Sequence, residues 1–142
     1  MLKTCWITLA MLLVACAAAP DDAPGTDEPE GVVQQALSQV TGFGSNPGNL
    51  QMFTHVPAGL PANAPVVLVL HGCTQSAAAM EVSGWTAAAN AQKFYLIYAQ
   101  QTSSNNSSSC FNWFEPGDIA RDQGEALSLR QMVGWVLANA ST

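Results

Sequence analysis

Positive charge is scarce in this sequence. Four lysines and arginines stand among 142 residues, against ten aspartates and glutamates. A nucleic-acid backbone is held by clustered Lys and Arg, so nucleic acid is excluded as a partner. Half of the acids (Asp21, Asp22, Asp27, Glu28 and Glu30) fall in one short stretch, and the chain from Thr41 onward is close to neutral. Histidine is sparse too: only His55 and His71 are available to any chemistry that needs an imidazole. The apolar run from Trp6 to Val14 falls well short of the roughly 20 residues that cross a bilayer as a helix. What remains is long enough for one domain with a real core.

The Trp6–Val14 run follows Lys3 and has the character of the apolar region of an export signal, residues 1–15. It ends in Leu13-Val14-Ala15-Cys16. This resembles the lipobox of bacterial lipoproteins, which implies that Cys16 becomes the acylated N-terminus. The alternative is an ordinary A-x-A cleavage site within "ACAAAP", with Cys16 incidental. Either way the chain is exported, as a membrane-anchored lipoprotein or as a secreted, extracellular protein. Residues 20–31, "PDDAPGTDEPEG", carry no large apolar side chain and cannot offset chain entropy by burial, so 16–40 is expected to be a lipidated N-terminus and acidic flexible linker. "VVQQALSQV", 32–40, is open between a short helix and a weak leading strand.

Residues 41–142 hold the pattern of a folded domain. "NLQMFTHVP", 49–57, alternates, with Leu50, Met52, Thr54 and Val56 on one face and Gln51, Phe53 and His55 on the other. That pattern predicts a half-buried strand stopped by Pro57. "VVLVL", 66–70, does not alternate and predicts a strand buried on both faces, as in a parallel sheet. "KFYLIYAQ", 93–100, predicts a second. The Ala-rich segment between them, 76–92, is helical in propensity with a break at Ser83-Gly84. Strand, helix, strand makes a βαβ unit with parallel strands and a right-handed crossover. After the polar loop "QQTSSNNSSSC", a long helix is expected from Gly117 or Asp118. Ala126, Leu129, Val133, Val136 and Leu137 would form its apolar stripe, with Arg121, Asp122, Glu125 and Arg130 elsewhere around the wheel.

The four cysteines sort by compartment. Cys5 lies in the signal and Cys16 is lipidated or removed, leaving Cys73 and Cys110 as a candidate disulfide in an oxidising environment. Nothing in the residue pattern calls for a cofactor or a metal. His71-Gly72-Cys73 sits at the carboxyl end of a predicted parallel strand, where open α/β sheets bind ligands. Gly72 allows a tight turn, and the next backbone N–H can face a developing oxyanion. Taken alone, His-Gly marks no more than a strand exit. His55 on a strand face is expected to be packed or solvated. Glu115 and Asp118 are a conceivable acid–base pair, but Asp118 fits better as an acid at a helix N-terminus.

The segments "GSNPGNLQMF", "VLHGCTQS", "GWTAAANAQKFYLIYAQQ" and "CFNWFEPGDIARDQGEALSLRQMV" together resemble the poly(3-hydroxybutyrate) depolymerase-type secreted esterases, relatives of feruloyl and acetylxylan esterases. The resemblance spans roughly Gly44 to Val133. It implies the amino-terminal part of an α/β-hydrolase sheet and a Ser-His-Asp esterase acting on a polyester or acyl ester. It also implies that His71, Gly72 and Cys73 form the oxyanion turn, that Cys110 is the partner cysteine, and that Trp113 and Phe114 line the substrate wall. The departure is in the catalytic triad. No G-x-S-x-G nucleophile elbow is present, and neither histidine follows a nucleophile. The expectation is therefore an esterase segment with the oxyanion turn present and nucleophile, acid and base absent, inactive by itself and prone to associate through an open sheet edge. The alternative is a non-catalytic secreted lipoprotein serving as a binding module.

Overall fold

The computed structural model describes residues 37–140. The predicted signal, the Cys16 site and most of the predicted linker lie outside these residues. Four strands form one mixed sheet: β1 (Ser38–Val40), β2 (Gln51–His55), β3 (Val66–Leu70) and β4 (Tyr95–Gln100), in the order β1-β2-β4-β3. β1 and β2 are antiparallel, as are β2 and β4, whereas β3 and β4 are parallel. The segment left open between helix and strand thus ends as β1, with Gln39 opposite Phe53.

β4 is the centre of the fold. Its side chains alternate between two apolar layers. Tyr95, Ile97 and Ala99 join Phe43, Leu50, Met52, Met132 and Val136 on one face. Leu96 and Tyr98 join Val69, Ala77 and Ala89 on the other. Full burial of β4 is what its unbroken apolar run predicted. β3 differs from the expectation. It has the same kind of sequence, but among the described residues it is an edge strand paired only with β4, so Val66, Val67 and Leu68 are half-buried and Leu70 is 45% exposed. β2 departs the other way. It lies between two strands with cover on both faces, so Phe53 packs and His55 is buried, while Val56, set by alternation on the face of the buried Leu50, Met52 and Thr54, is exposed.

The connection from β3 to β4 is α1 (Ala77–Met80), a π-helical turn (Glu81–Trp85) and α2 (Thr86–Gln92). The Ser76 hydroxyl caps α1 by accepting the Ala79 N–H at 3.2 Å. The expected break falls at Gly84, whose φ of 100° lies outside helical space.

The long helix predicted from Gly117 or Asp118 is two helices. α3 (Pro116–Ile119) stops, the chain turns with Asp122 at φ 62°, and α4 (Gly124–Asn139) starts afresh. The buried line of α4 is Glu125, Ser128, Met132 and Val136. Leu129 and Val133 flank it as expected, but Leu137 is 67% exposed and Glu125, assigned to the polar side, is buried. The loop before β2 explains the polar part of that line. Its Gly48 N–H donates to the Ser128 hydroxyl at 2.9 Å, and its Asn46 N–H donates to Gln131 Oε1 at 2.9 Å.

Candidate active site

The parallel pair β3 and β4 ends at one rim of the sheet, and the loops leaving both strands meet there. Cys73 and Cys110 form a disulfide with a Cα–Cα distance of 4.2 Å. It closes a 37-residue separation, worth about 3–4 kcal/mol by chain entropy. A second tie lies beside it, the Thr74 N–H donating to the Ser108 carbonyl at 2.7 Å.

His71 is buried beneath this junction. Its Nε2 accepts the Gln101 backbone N–H at 3.0 Å, and the Gln100 side-chain amide approaches it at 3.1 Å. An accepting Nε2 puts the ring proton on Nδ1, which then donates to the Gly72 carbonyl at 2.7 Å. His71 is thereby a neutral brace inside the turn rather than a free base. Phe111 packs on the ring at a centroid distance of 5.1 Å. Within the turn, the Gly72 N–H donates to Gln75 Oε1 at 2.8 Å and the Gln75 N–H to the Gly72 carbonyl at 3.1 Å. No described residue accepts a hydrogen bond from the Cys73 N–H. The predicted oxyanion turn therefore has one braced imidazole, one committed amide and one uncommitted amide at the exposed rim.

Two residues that sequence reasoning did not single out complete the base of the site. Gln101 is fully buried, and both ends of its amide are engaged. Its Oε1 accepts the Thr102 N–H at 2.9 Å and the Asn105 side chain at 2.8 Å. Its Nε2 donates to the Cys110 carbonyl at 3.1 Å and to Glu125 Oε1. Glu125 Oε2 accepts the Asn112 N–H at 2.8 Å. Burial pushes the Glu125 carboxyl above the usual carboxylate range. The hydrogen bonds from Asn112 and Gln101 oppose that shift, and the Asp118 charge adds to it. Only the polar pair directly after a buried strand hinted at Gln101. Glu125 carried no hint, because the spacing set it off the apolar stripe of the expected helix, where an acid is ordinary.

The remaining candidates separate. Trp113 and Phe114 are exposed, at 74% and 51%, and stack edge to face at 5.4 Å on the loop that follows Cys110. Asp118 is an acid at a helix N-terminus as expected, but it serves the next helix: its Oδ1 accepts the Glu125 N–H at 3.2 Å at the start of α4, and its Oδ2 accepts the Asn112 side chain at 2.9 Å. Glu115 is exposed and is not part of that arrangement. His55 is buried and bonded to Asn90 at 2.8 Å, the packed histidine expected. Neither described histidine has a serine partner: His55 is bonded to Asn90, and His71 to Gly72, Gln100 and Gln101. Among the described residues no group of three or more His, Cys, Asp and Glu side chains is placed to hold a metal ion. A cavity of about 480 Å³ lies at the opposite end of the sheet, beside Val56, Leu60, Val66, Tyr95 and Leu137. It is open, no His, Cys, Ser, Asp or Glu lines it, and it lies away from the His71-Gly72-Cys73 turn.

Residues 51–141 match the family model described as "Esterase PHB depolymerase". The chain is 68% identical over 106 residues to poly(3-hydroxyalkanoate) depolymerase C of Paucimonas lemoignei, a match covering 75% of this chain and 26% of that one. It is 30% identical over 140 residues to a probable acetylxylan esterase A of Aspergillus fumigatus, covering 96% and 37%. To feruloyl esterase B of Thermothelomyces thermophilus it is 36% identical over 104 residues, covering 72% and 35%. Among solved structures, the acetyl xylan esterase from Aspergillus awamori superimposes with a TM-score of 0.66 at 28% identity, over 73% of this chain and 38% of that one. The chain thus spans about a quarter to two fifths of the length of these relatives. Its mixed sheet, with a parallel β3/β4 pair and helical connection, is part of an α/β-hydrolase sheet. With that fold, the His71-Gly72-Cys73 turn at the strand ends and the matched span, the chain belongs to the PHB depolymerase esterase family.

Proposed function

We propose that the chain supplies the oxyanion-stabilising part of a serine-type carboxylic-ester hydrolase acting on a polyester, with polyhydroxyalkanoate first among the substrates because of the 68% identity to a poly(3-hydroxyalkanoate) depolymerase. The observation that carries this reading is the uncommitted Cys73 N–H on a turn braced by His71 and the disulfide. A hydroxyl nucleophile gives its proton to the general base and adds to the ester carbonyl, the π electrons move to oxygen, and the resulting oxyanion accepts from the Cys73 N–H; the protonated base is then the general acid. One such donor lowers the barrier by roughly 3–4 kcal/mol. The leaving alkoxide takes a proton from the general acid, and water releases the acyl group in a second addition. Nucleophile, base and acid are not among the described residues on this reading, and the exposed Trp113 and Phe114 form an apolar wall beside the acyl chain.

The test is hydrolysis of a short-chain p-nitrophenyl ester. The 142-residue chain alone should show no saturable turnover. The same chain fused to the remaining part of the Paucimonas lemoignei relative should show it. In that fusion, replacing Cys73 by Pro, which removes the N–H, should lower kcat about 10²–10³-fold below the Cys73→Ser protein, which keeps it. Saturable turnover by the chain alone, abolished by His71→Ala, would overturn this assignment of roles.

A second reading has its own support. The Trp113–Phe114 pair is an exposed aromatic surface, which suits a non-catalytic module that binds an ester polymer. Binding of polyester particles, lost in Trp113→Ala, with no turnover in the fusion would favour it. On both readings the chain is exported through residues 1–15 and anchored to a membrane by lipid at Cys16, since several acyl chains meet the two-signal requirement for stable attachment. Cys16→Ala should release the protein from membranes; unchanged fractionation would exclude the anchor.

A further inference from the structure

We propose that Gln101, its amide oriented by the buried carboxylate of Glu125, is a positioning residue for the Cys73 N–H, and that loss of the Glu125 charge releases the turn. The proposal rests on the reading of Cys73 given above.

The hydrogen-bond inventory leads to it. Gln101 Oε1 faces two donors, the Thr102 N–H and the Asn105 amide, and Nε2 faces two acceptors, the Cys110 carbonyl and Glu125. Reversing the amide would set donor against donor and acceptor against acceptor at all four contacts. On the Glu125 side both oxygens also face donors, Gln101 Nε2 and the Asn112 N–H. A carboxylate satisfies both because it only accepts. A protonated carboxyl is the weaker acceptor, most of all at the oxygen that carries the hydrogen, so protonation loosens its hold on the Gln101 amide or on the loop at Asn112.

Gln101 reaches the turn by two routes. Its backbone N–H holds His71 Nε2, and His71 in turn holds the Gly72 carbonyl. Its side chain holds the Cys110 carbonyl, and Cys110 is bonded covalently to Cys73. Both routes end on the residues flanking or carrying the free amide. Burial and the Asp118 charge from α3 push the Glu125 carboxyl up, so it gains its proton at milder acidity than an exposed glutamate. From the β4 end, His71 is the ionisable group, standing beyond Gln101. The loop from Ser45 to Leu50 has none. Arg121 is exposed, and Asp122 is paired with Arg130 at 3.0 Å on the surface.

The test uses the full 142-residue chain, labelled with ¹⁵N and ¹³C. With falling pH, the Cys73 amide shift should follow the same step as the Glu125 side-chain carboxyl, with a midpoint above the ordinary glutamate range, while the Gln39 amide in β1 stays still. In Glu125→Gln the step should vanish. In Gln101→Ala the Glu125 carboxyl should still titrate but no longer move the Cys73 amide. A Cys73 amide that does not respond while Glu125 titrates in the parent chain overturns the proposal, and this comparison needs no variant to fold. A purely structural role for Gln101 would change stability without coupling these two resonances. The readout involves no ester turnover, so an inactive fusion protein would remove the esterase reading and leave this coupling standing.

Discussion

At the scale of single residues, Glu125 is the costly choice. A carboxylate is placed where water is excluded, and two hydrogen bonds do not fully offset the desolvation. The consequence for stability has a definite sign. The folded carboxyl holds its proton at a pH where the unfolded chain has already lost it. Glu125 therefore contributes its full share below the ordinary glutamate value and loses it as pH rises through the higher folded value. Urea midpoints measured from mildly acidic to neutral pH should show this decline in the parent, and Glu125→Gln should lack it. Parallel profiles for the two proteins would show that burial does not govern this group. Other residues of the site were legible because their chemistry is rare. His71 and Cys73 follow a strand in a sequence with two histidines and four cysteines. Gln101 was not legible, because its importance comes from four partners at separations of up to 24 residues.

At the scale of elements, local conformation sets where helices stop. Gly84 adopts φ 100° between α1 and α2, and a Cβ there would meet nothing within 4 Å. Substitution by Ala is thus a backbone effect free of steric contact, expected to cost about 1–2 kcal/mol. Thermal unfolding of Gly84→Ala followed by far-UV circular dichroism would check it, and an unchanged midpoint would mean that the kink relaxes freely. The Ser83-Gly84 break was visible because glycine marks it. The break between α3 and α4 was not. Gly124 begins α4 at φ 44° so close to Asp118 that a Cβ would lie 2.6 Å from its Cα. Nothing in the local sequence announces that approach, and the apolar spacing runs on across it.

At the scale of the whole molecule, the two edges of the sheet are unlike. β1 is three residues long with Ser38 and Gln39 exposed, a short polar edge of the kind that resists pairing. β3 is five apolar residues with no charge, Pro or bulge, and Leu70 exposed at its end. Such an edge pairs with other chains. Sedimentation velocity should show the 142-residue chain associating as concentration rises, and Leu70→Lys should shift it toward monomer. A monomer at all concentrations would mean that the edge is covered by residues outside 37–140.

By itself the sequence determined the local part of this protein. Apolar runs dictated where strands form, Gly and Ser dictated one helix break, and Cys73 and Cys110, the cysteines outside the expected export segment, were the candidates for the disulfide that forms. Those follow from side-chain periodicity, backbone freedom and the count of candidate cysteines, all carried within a few residues or by composition. Only the tertiary structure decided that β3 is an edge while the similar β4 is central, that Glu125 faces inward, and that Gln101 links both to His71. The physical reason is that burial and hydrogen bonding belong to neighbours brought in from elsewhere in the chain. A buried acid and a buried amide are tolerated only where the packed fold supplies every partner at once.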